Sequence, residues 1–458
     1  MSGQSADESK IALGDIARRV AGLAQSGEQV EAYVIRSRST EVKVFDGEVE
    51  SLSVAEVEGV GVRLLLDHRQ GYAWAGSLDP DVVAETVAEA RDNASFGTQD
   101  EAYGFPERAD VDAVAAPDLD LWRESLLSVA PEDKVAIALQ VEAATRAADP
   151  RVRGVESASY DDGAVEVAVA SSLGVESSAR RTVCSLASFA MAGEGEETQT
   201  GYGFSVGRAF DDLDVVIAAR DAVERSTRLL GARQPASRRI PVIFDPLVTQ
   251  SLLGLLGSAL SGEAVLKGRS IFAGREGEEV AAANVTLVDD PTIPDAFGAA
   301  TNDGEGVPTR RVELIVGGRL QGFLHNVYTA RRSSTHTTGS AMRGFKSTPA
   351  VGARALHLLP GVKSPEAILA TMPEALYVQS VSGLHSGTNP VSGDFSVGAE
   401  GLMVRNGAFA EPVREITIAS TLPRMLLDIT EVGADLTWLP GGAAGVTLLL
   451  SDMTMSGV

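Results

Sequence analysis

The stretch Glu41-Val42-Lys43-Val44-Phe45-Asp46-Gly47-Glu48-Val49-Glu50 decides the fold class of this 458-residue chain. Apolar and polar residues alternate up to Asp46-Gly47, and apolar positions resume with Val49, Leu52 and Val54. Alternation on both sides of an Asp-Gly pair marks a β-hairpin, because a two-residue turn needs positive φ at both positions. Downstream, Val60 to Leu66 and Gly71 to Ala75 continue as strands. Upstream, Ile16, Val20 and Leu23 fall at helical spacing and Gly27 stops that helix. Asp79-Pro80 predicts the start of a helix that places Val83, Val87 and Ala90 on one face. A further helix is predicted from Pro131 to Ala148, bounded by Pro150. Asp161-Asp162-Gly163 predicts a turn into a half-buried strand carrying Val165, Val167 and Val169. More strands follow to about Gly207, then a helix from Asp212 to Leu230 ends at Gly231. Strands beside flanking helices make this half α+β, with an antiparallel sheet.

The second half reads differently. Ile240 to Phe244 is a strand, Asp245-Pro246 a helix start, and Leu247 to Leu260 a strongly apolar helix. From Asn302 onward the pattern turns almost wholly to strands. Gly317-Gly318 makes a tight turn between Val312 to Val316 and Leu320 to Leu324, and Asn406-Gly407 marks another. A predominantly β, barrel-like antiparallel domain is expected. The segment Ala232 to Arg239, with Pro235, Ser237 and several arginines, is the linker candidate. The expected organisation is a disordered tail over 1–10, an α+β domain over 11–231, a linker over 232–239 and a mostly-β domain over 240–458.

With 44% hydrophobic and 22% charged residues, the chain has the composition of a folded protein and not of a disordered one. Asp and Glu outnumber Lys and Arg by 63 to 39, a net charge of −24. Such a surface repels phosphate backbones and anionic lipid, which excludes general nucleic-acid or membrane-surface binding unless a basic patch opposes it. The densest basic stretches, Arg233 to Arg239 and Arg331 to Arg332, are short and lack interleaved aromatics. Cys184 is the only cysteine, so an intrachain disulfide and a multi-cysteine metal site are both excluded, as suits a reducing cytoplasm. The polar, acidic N-terminus and the absence of long apolar runs make the expected location cytoplasmic, with no membrane.

Motifs for chemistry are sparse. His68, His325, His336, His357 and His385 form no H-E-x-x-H, and no pair lies four apart on a helix face. Cys184 sits in a strand-like context without a neighbouring base and reads as a buried small residue. Gly59-Val60-Gly61 is followed by a strand, not a helix, so it cannot present a helix N-terminus to a pyrophosphate. Asp303-Gly304-Glu305-Gly306 lacks the alternating ligands of a calcium loop and reads as a turn. The richest polar segment runs from His385 to Gly401, with Asn389, Ser392, Asp394 and Ser396 among glycines. Small residues there would let a second backbone approach, which makes His385, Asn389, Ser392, Asp394 and Phe395 the candidates for peptide or partner contact. A Ser392, His385 and Asp394 triad lacks the G-x-S-x-G elbow that would support it.

Taken together, these stretches resemble the TldD/PmbA family, once labelled for modulation of DNA gyrase, and within it the PmbA branch, also called TldE. The resemblance rests on Phe45 to Glu50, Ser172-Leu173-Gly174 and Gly207 to Leu213 in the first half. In the second half it rests on Pro241 to Pro246, Asp303 to Val307, Val391 to Ala399, Arg405-Asn406-Gly407 and Pro412 to Ala419.

The resemblance implies a cytoplasmic heterodimeric metallopeptidase whose TldD-like subunit carries zinc on an H-E-x-x-x-H helix, with a later cysteine as a further ligand. The corresponding helix here is Leu252 to Glu263, LLGLLGSALSGE. Registered on Gly262-Glu263, the histidine positions fall on Leu253 and Ser258, the glutamate on Gly254, and the cysteine near Ala443 to Gly445. None of these residues can perform the corresponding role. The expectation is therefore a subunit with no catalytic and no metal-binding residues of its own and no cofactor in this chain, zinc being held by a TldD-like partner. The implied activity is degradation or maturation of unfolded, flexible peptides, with no nucleic acid involved; the charge balance lends the gyrase label no support. A homodimeric, non-catalytic peptide-binding or scaffold protein is the alternative reading, and a hydrolase built from His325, His336 or His385 a third.

Overall fold

The computed structural model describes residues 12–458; the expected tail over 1–10 lies outside the described residues. The first half builds one antiparallel six-stranded sheet from β1 (Glu28–Phe45), β2 (Glu48–Leu66), β3 (Arg69–Ala75), β4 (Val152–Ser171), β5 (Glu176–Ala192) and β6 (Gln199–Gly207). Their order across the sheet is β3-β2-β1-β4-β5-β6. Asp46 and Gly47 turn the chain between β1 and β2 with φ of 53° and 79°, the paired positive values that Asp-Gly tolerates.

Period two sorts the faces of β1. Val30, Ala32, Val34, Val42 and Val44 are buried on one face beneath the helices Leu13–Ala21, Pro80–Phe96, Pro131–Ala148 and Val215–Thr227. Glu31 and Tyr33 point the other way, toward the second half of the chain, where Tyr33 packs with Phe345. Gly59 and Gly61 serve this second face: a Cβ on Gly59 would lie 2.4 Å from the Phe345 ring, and one on Gly61 2.5 Å from the Phe345 carbonyl oxygen. A buried ionic chain crosses the same junction. Arg63 grips Glu31 through two hydrogen bonds of 2.9 and 2.7 Å and reaches Glu305 at 2.9 Å.

The second half closes a ring of five strands. Ala408–Thr421, Asp394–Arg405, Glu374–Ser382, Arg238–Phe244 and Leu448–Ser456 pair in that order, and the first and last pair with each other through Thr417 to Ala419 and Thr454 to Ser456. Closure removes the open edge. Ile429–Val432 adds outside Leu448–Ser456. The expected α+β first half and barrel-like second half are both present.

Several local expectations differ. The first helix ends at Ala21, not near Gly27, which leaves Leu23 exposed. Asp161-Asp162-Gly163 is no turn but the interior of β4, in register with both neighbours. Lys134 neutralises Asp162 and the Tyr160 hydroxyl donates to it at 2.8 Å, so the pair of carboxylates that suggested a turn is held within a sheet. Beyond Asn302, short helices such as Val327–Arg332, Pro365–Ala370 and Leu422–Leu427 interrupt the strands. Arg238 and Arg239, counted with the linker, open a barrel strand.

Candidate functional site

The apolar helix of the second half runs Pro246–Ala259, directly after a barrel strand. Asp245 caps it by accepting the Leu247 N–H at 2.9 Å, with Pro246 in the first turn. The same buried carboxylate accepts the Tyr377 hydroxyl at 2.6 Å and Arg225 at 3.1 and 3.0 Å. Burial beside Asp245 raises the Tyr377 hydroxyl above the ordinary tyrosine range, which keeps it protonated as a donor. One residue thus ties the helix start to the barrel and to the helix Val215–Thr227.

Val248, Leu252, Leu253 and Leu256 pack in the main hydrophobic core, with Leu253 also reaching the groove floor. The opposite side opens onto a groove of about 500 Å³. Leu253, Gly254 and Ser258 line it from the helix, Val351 to Ala353 from one bank and Pro440, Gly442 and Ala443 from the other. Gln250 bridges helix and bank, donating to the Pro440 carbonyl at 2.7 Å and to that of Ala443 at 3.2 Å. Gly254 is open: a Cβ there would meet no atom within 4 Å. Gly257 is a close-approach position, where a Cβ would lie 3.0 Å from Leu356.

The positions that the resemblance assigned to a metal helix and a later cysteine therefore converge. Leu253, Gly254, Ser258 and Ala443 face one groove although 185 residues separate Ser258 from Ala443 (443 − 258). Their chemistry does not fit zinc. Leu253 and Ala443 are hydrocarbon, Gly254 has no side chain, and the Ser258 hydroxyl donates to the Gly254 carbonyl at 3.1 Å.

Three family models describe PmbA/TldA metallopeptidase domains and match residues 30–94 (domain 1), 124–230 (central domain) and 237–457 (C-terminal domain). The chain belongs to the PmbA/TldD metallopeptidase family. It is 29% identical over 435 residues to the metalloprotease PmbA of Escherichia coli O157:H7, covering 94% of this chain and 93% of that one. A PmbA homologue of Haemophilus influenzae is 26% identical over the same shares. Among solved structures, TldE from Thermococcus kodakarensis superposes with a TM-score of 0.88 at 24% identity, covering 97% of this chain and 99% of that one, a likeness of fold. A Thermotoga maritima protein described in terms of gyrase modulation gives a TM-score of 0.89 at 25% identity, over 97% and 100%.

The residues singled out between His385 and Gly401 lie elsewhere; none lines the groove. Asn389 closes a local turn, its side-chain oxygen accepting the N–H groups of Val391 and Ser392 at 2.9 and 3.2 Å. The Ser392 hydroxyl donates to Asp394 at 2.6 Å. Phe395 is buried in the barrel core. His385 is exposed on the short helix Leu384–Gly387, and no hydrogen bond joins it to Ser392 or Asp394 among the described residues.

The other reactive residues are also placed. His325 is buried, with Nδ1 3.2 Å from the Thr329 hydroxyl, and His357 is buried 2.9 Å from the Ala355 carbonyl. Burial pulls both imidazoles below the ordinary histidine range. His336 is exposed. The Cys184 thiol donates to the Ala209 carbonyl at 3.1 Å, and burial pushes it up to about 12, far from a thiolate at neutral pH. Asp303 and Glu305 form the predicted turn, with Gly306 at a φ of 83°. Sequence reasoning missed Gln250 and the banks at Val351 and Pro440. The Pro440-Gly441-Gly442 run was visible, but only the fold shows what it faces.

Proposed function

We propose that this chain is a PmbA/TldE-like subunit of a cytoplasmic heterodimeric peptidase acting on unfolded or flexible peptides, with zinc held by a TldD-like partner. The observation that carries this reading is the groove: the positions aligned with the family's metal helix meet there, and none offers a metal ligand or a general base. The groove offers a shape and no metal chemistry. What this chain supplies is a surface: two banks of backbone beside a helix whose Gly254 leaves room for a second chain. An extended peptide gripped through its backbone would bind with little dependence on its side chains.

The sheet supports pairing with a second subunit. β3 reaches β2 only from Val60 onward, so Glu48 to Gly59 is an edge. Val49, Leu52, Val54 and Val57 are exposed along it, at 42 to 51%. A long edge bearing apolar side chains is a template for another chain.

Reconstitution tests the reading. Cleavage of a denatured, labelled polypeptide is measured with this chain alone, with a zinc-bearing TldD-like companion alone, and with both. Cleavage by the pair only is expected; cleavage by this chain alone overturns the proposal.

A further inference from the structure

A second cavity, of about 450 Å³, lies on the face of the N-terminal sheet opposite its helices. Val165, Val167 and Val169 of β4 and Tyr33 of β1 form an apolar wall, and Arg180, Arg181, Arg343 and Arg354 line the cavity together with the carboxylates Asp120 and Asp303. In a chain of net charge −24, four arginines against two carboxylates around one cavity make the local balance positive.

These cations are incompletely satisfied. The Arg343 side chain is 1% exposed and packs over the Tyr33 ring at 4.7 Å. Its Nη2 lies 2.6 Å from Glu31, but Nε and Nη1 have no hydrogen-bond partner among the described residues. Arg354 donates to the Ala341 carbonyl at 3.2 Å and leaves its own Nε unpartnered. The nearby acids are committed elsewhere, Asp120 to Arg123 at 2.9 Å. Glu31 is already held by Arg63 through two bonds. Asp303 accepts the backbone N–H groups of Glu305, Val307 and Ala341 at 2.8, 3.0 and 3.0 Å. Burial, followed by repulsion from Arg354 and Arg208, lowers the Arg181 pKa, as expected of cations crowded without a counter-ion. Leaving a buried charged donor unpaired is unfavourable, and a bound anion removes that penalty.

We propose that this cavity binds a small organic carboxylate with an apolar body, its oxygens received by Arg343, Arg354 and Arg181 and its body by Tyr33 and the β4 valines. Guanidinium groups match a carboxylate through paired N–H bonds, and the volume suits a ligand the size of an N-acylated amino acid. A free acid and the C-terminal residue of a peptide present the same chemistry. The site is separate from the helix groove and does not depend on the peptidase reading.

Calorimetric titration of the full chain tests it with N-acetyl-leucine, its carboxamide, inorganic phosphate and an N-acetylated pentapeptide ending in leucine. N-acetyl-leucine is expected to bind, with the carboxamide weaker by roughly tenfold or more, because a charged hydrogen bond is lost. The pentapeptide binding as well as N-acetyl-leucine would identify a peptide C-terminus as the ligand; exclusion of the pentapeptide would identify a free acid. Arg343→Gln should abolish binding, but it also strips Glu31 of a partner. Arg181→Gln is therefore the second variant, expected to weaken binding roughly tenfold while leaving the melting temperature unchanged. Equal binding of acid and carboxamide, tighter binding of phosphate than of N-acetyl-leucine, or no heat at millimolar acid would overturn the proposal.

Discussion

The side-chain amide of Gln250 donates to the carbonyl of Pro440 across 2.7 Å, fastening the groove helix to the loop that faces it. Gln250→Leu removes this bond and the one to Ala443 while keeping the side chain's bulk. The expected cost is ~1–2 kcal/mol, a fall of a few degrees in melting temperature for a chain of this size. Peptide cleavage by the reconstituted pair should fall by more than that stability loss explains, because the bank is no longer held. Calorimetry and the cleavage assay, run on the same preparation, separate the two effects.

Gly254 and Gly257 lie three residues apart and should respond in opposite ways. At Gly254 an added Cβ meets no atom within 4 Å and phenylalanine gains ~0.5 kcal/mol of helix propensity, so folding should be unharmed. The ring would fill the groove and suppress cleavage by the pair. Gly257→Val drives a side chain toward Leu356 and should destabilise by ~1–3 kcal/mol. Urea unfolding of both variants checks the contrast; a stable Gly254→Phe variant with undiminished cleavage would show that the groove takes no part in the reaction.

The exposed edge of β2 carries the partner prediction. Leu52→Lys with Val54→Lys places two charges on an edge that is 44 and 51% exposed, where lysine costs the isolated chain little. Association with the companion should weaken by tenfold or more on the scale of lost interface anchors. Analytical ultracentrifugation would read this directly, with the variant's own melting temperature as the control.

Asp289 gives the chain a pH signature. Burial pushes its carboxyl up from 3.8 to about 6, although the side chain accepts the N–H groups of Arg354 and Ala355 at 3.0 and 2.7 Å. A raised folded-state pKa means that the native state binds the proton more tightly than the unfolded chain does. Its stabilising contribution is therefore full below about pH 4 and is lost as the pH rises through about 6. Asp289→Asn keeps an oxygen for both N–H groups and carries no charge. Relative to the unmodified chain it should gain up to ~3 kcal/mol between pH 4 and pH 8, measured by urea unfolding at the two ends.

How far the sequence speaks depends on the range of the interaction that fixes each element. Asp46-Gly47, Asn406-Gly407 and Gly317-Gly318 are turns because adjacent residues must adopt positive φ, and all three are turns in the structure. Asp79 and Asp245 cap helices through a side chain that reaches two residues ahead, and both were legible. Asp161-Asp162-Gly163 was misread because the ion pair that keeps it in a strand comes from Lys134, on a separate helix. The groove was half legible. Leu253, Gly254, Ser258 and Ala443 followed from a resemblance, whereas their meeting depends on Leu448–Ser456 pairing with Arg238–Phe244, Leu448 opposite Phe244, which sets the segment before one strand beside the helix after the other. The arginine cavity was not legible at all. Arg181 comes from a sheet strand, and Arg343 and Arg354 lie on segments more than 150 residues further along.

The central claim is that this chain contributes surface, and a companion contributes metal. Purifying it from its native cells under mild conditions, identifying any stoichiometric companion by mass spectrometry and counting zinc per complex tests that claim most directly. The account predicts a companion carrying H-E-x-x-x-H and about one zinc per pair. A homodimer without zinc, or zinc bound to this chain alone, would contradict it.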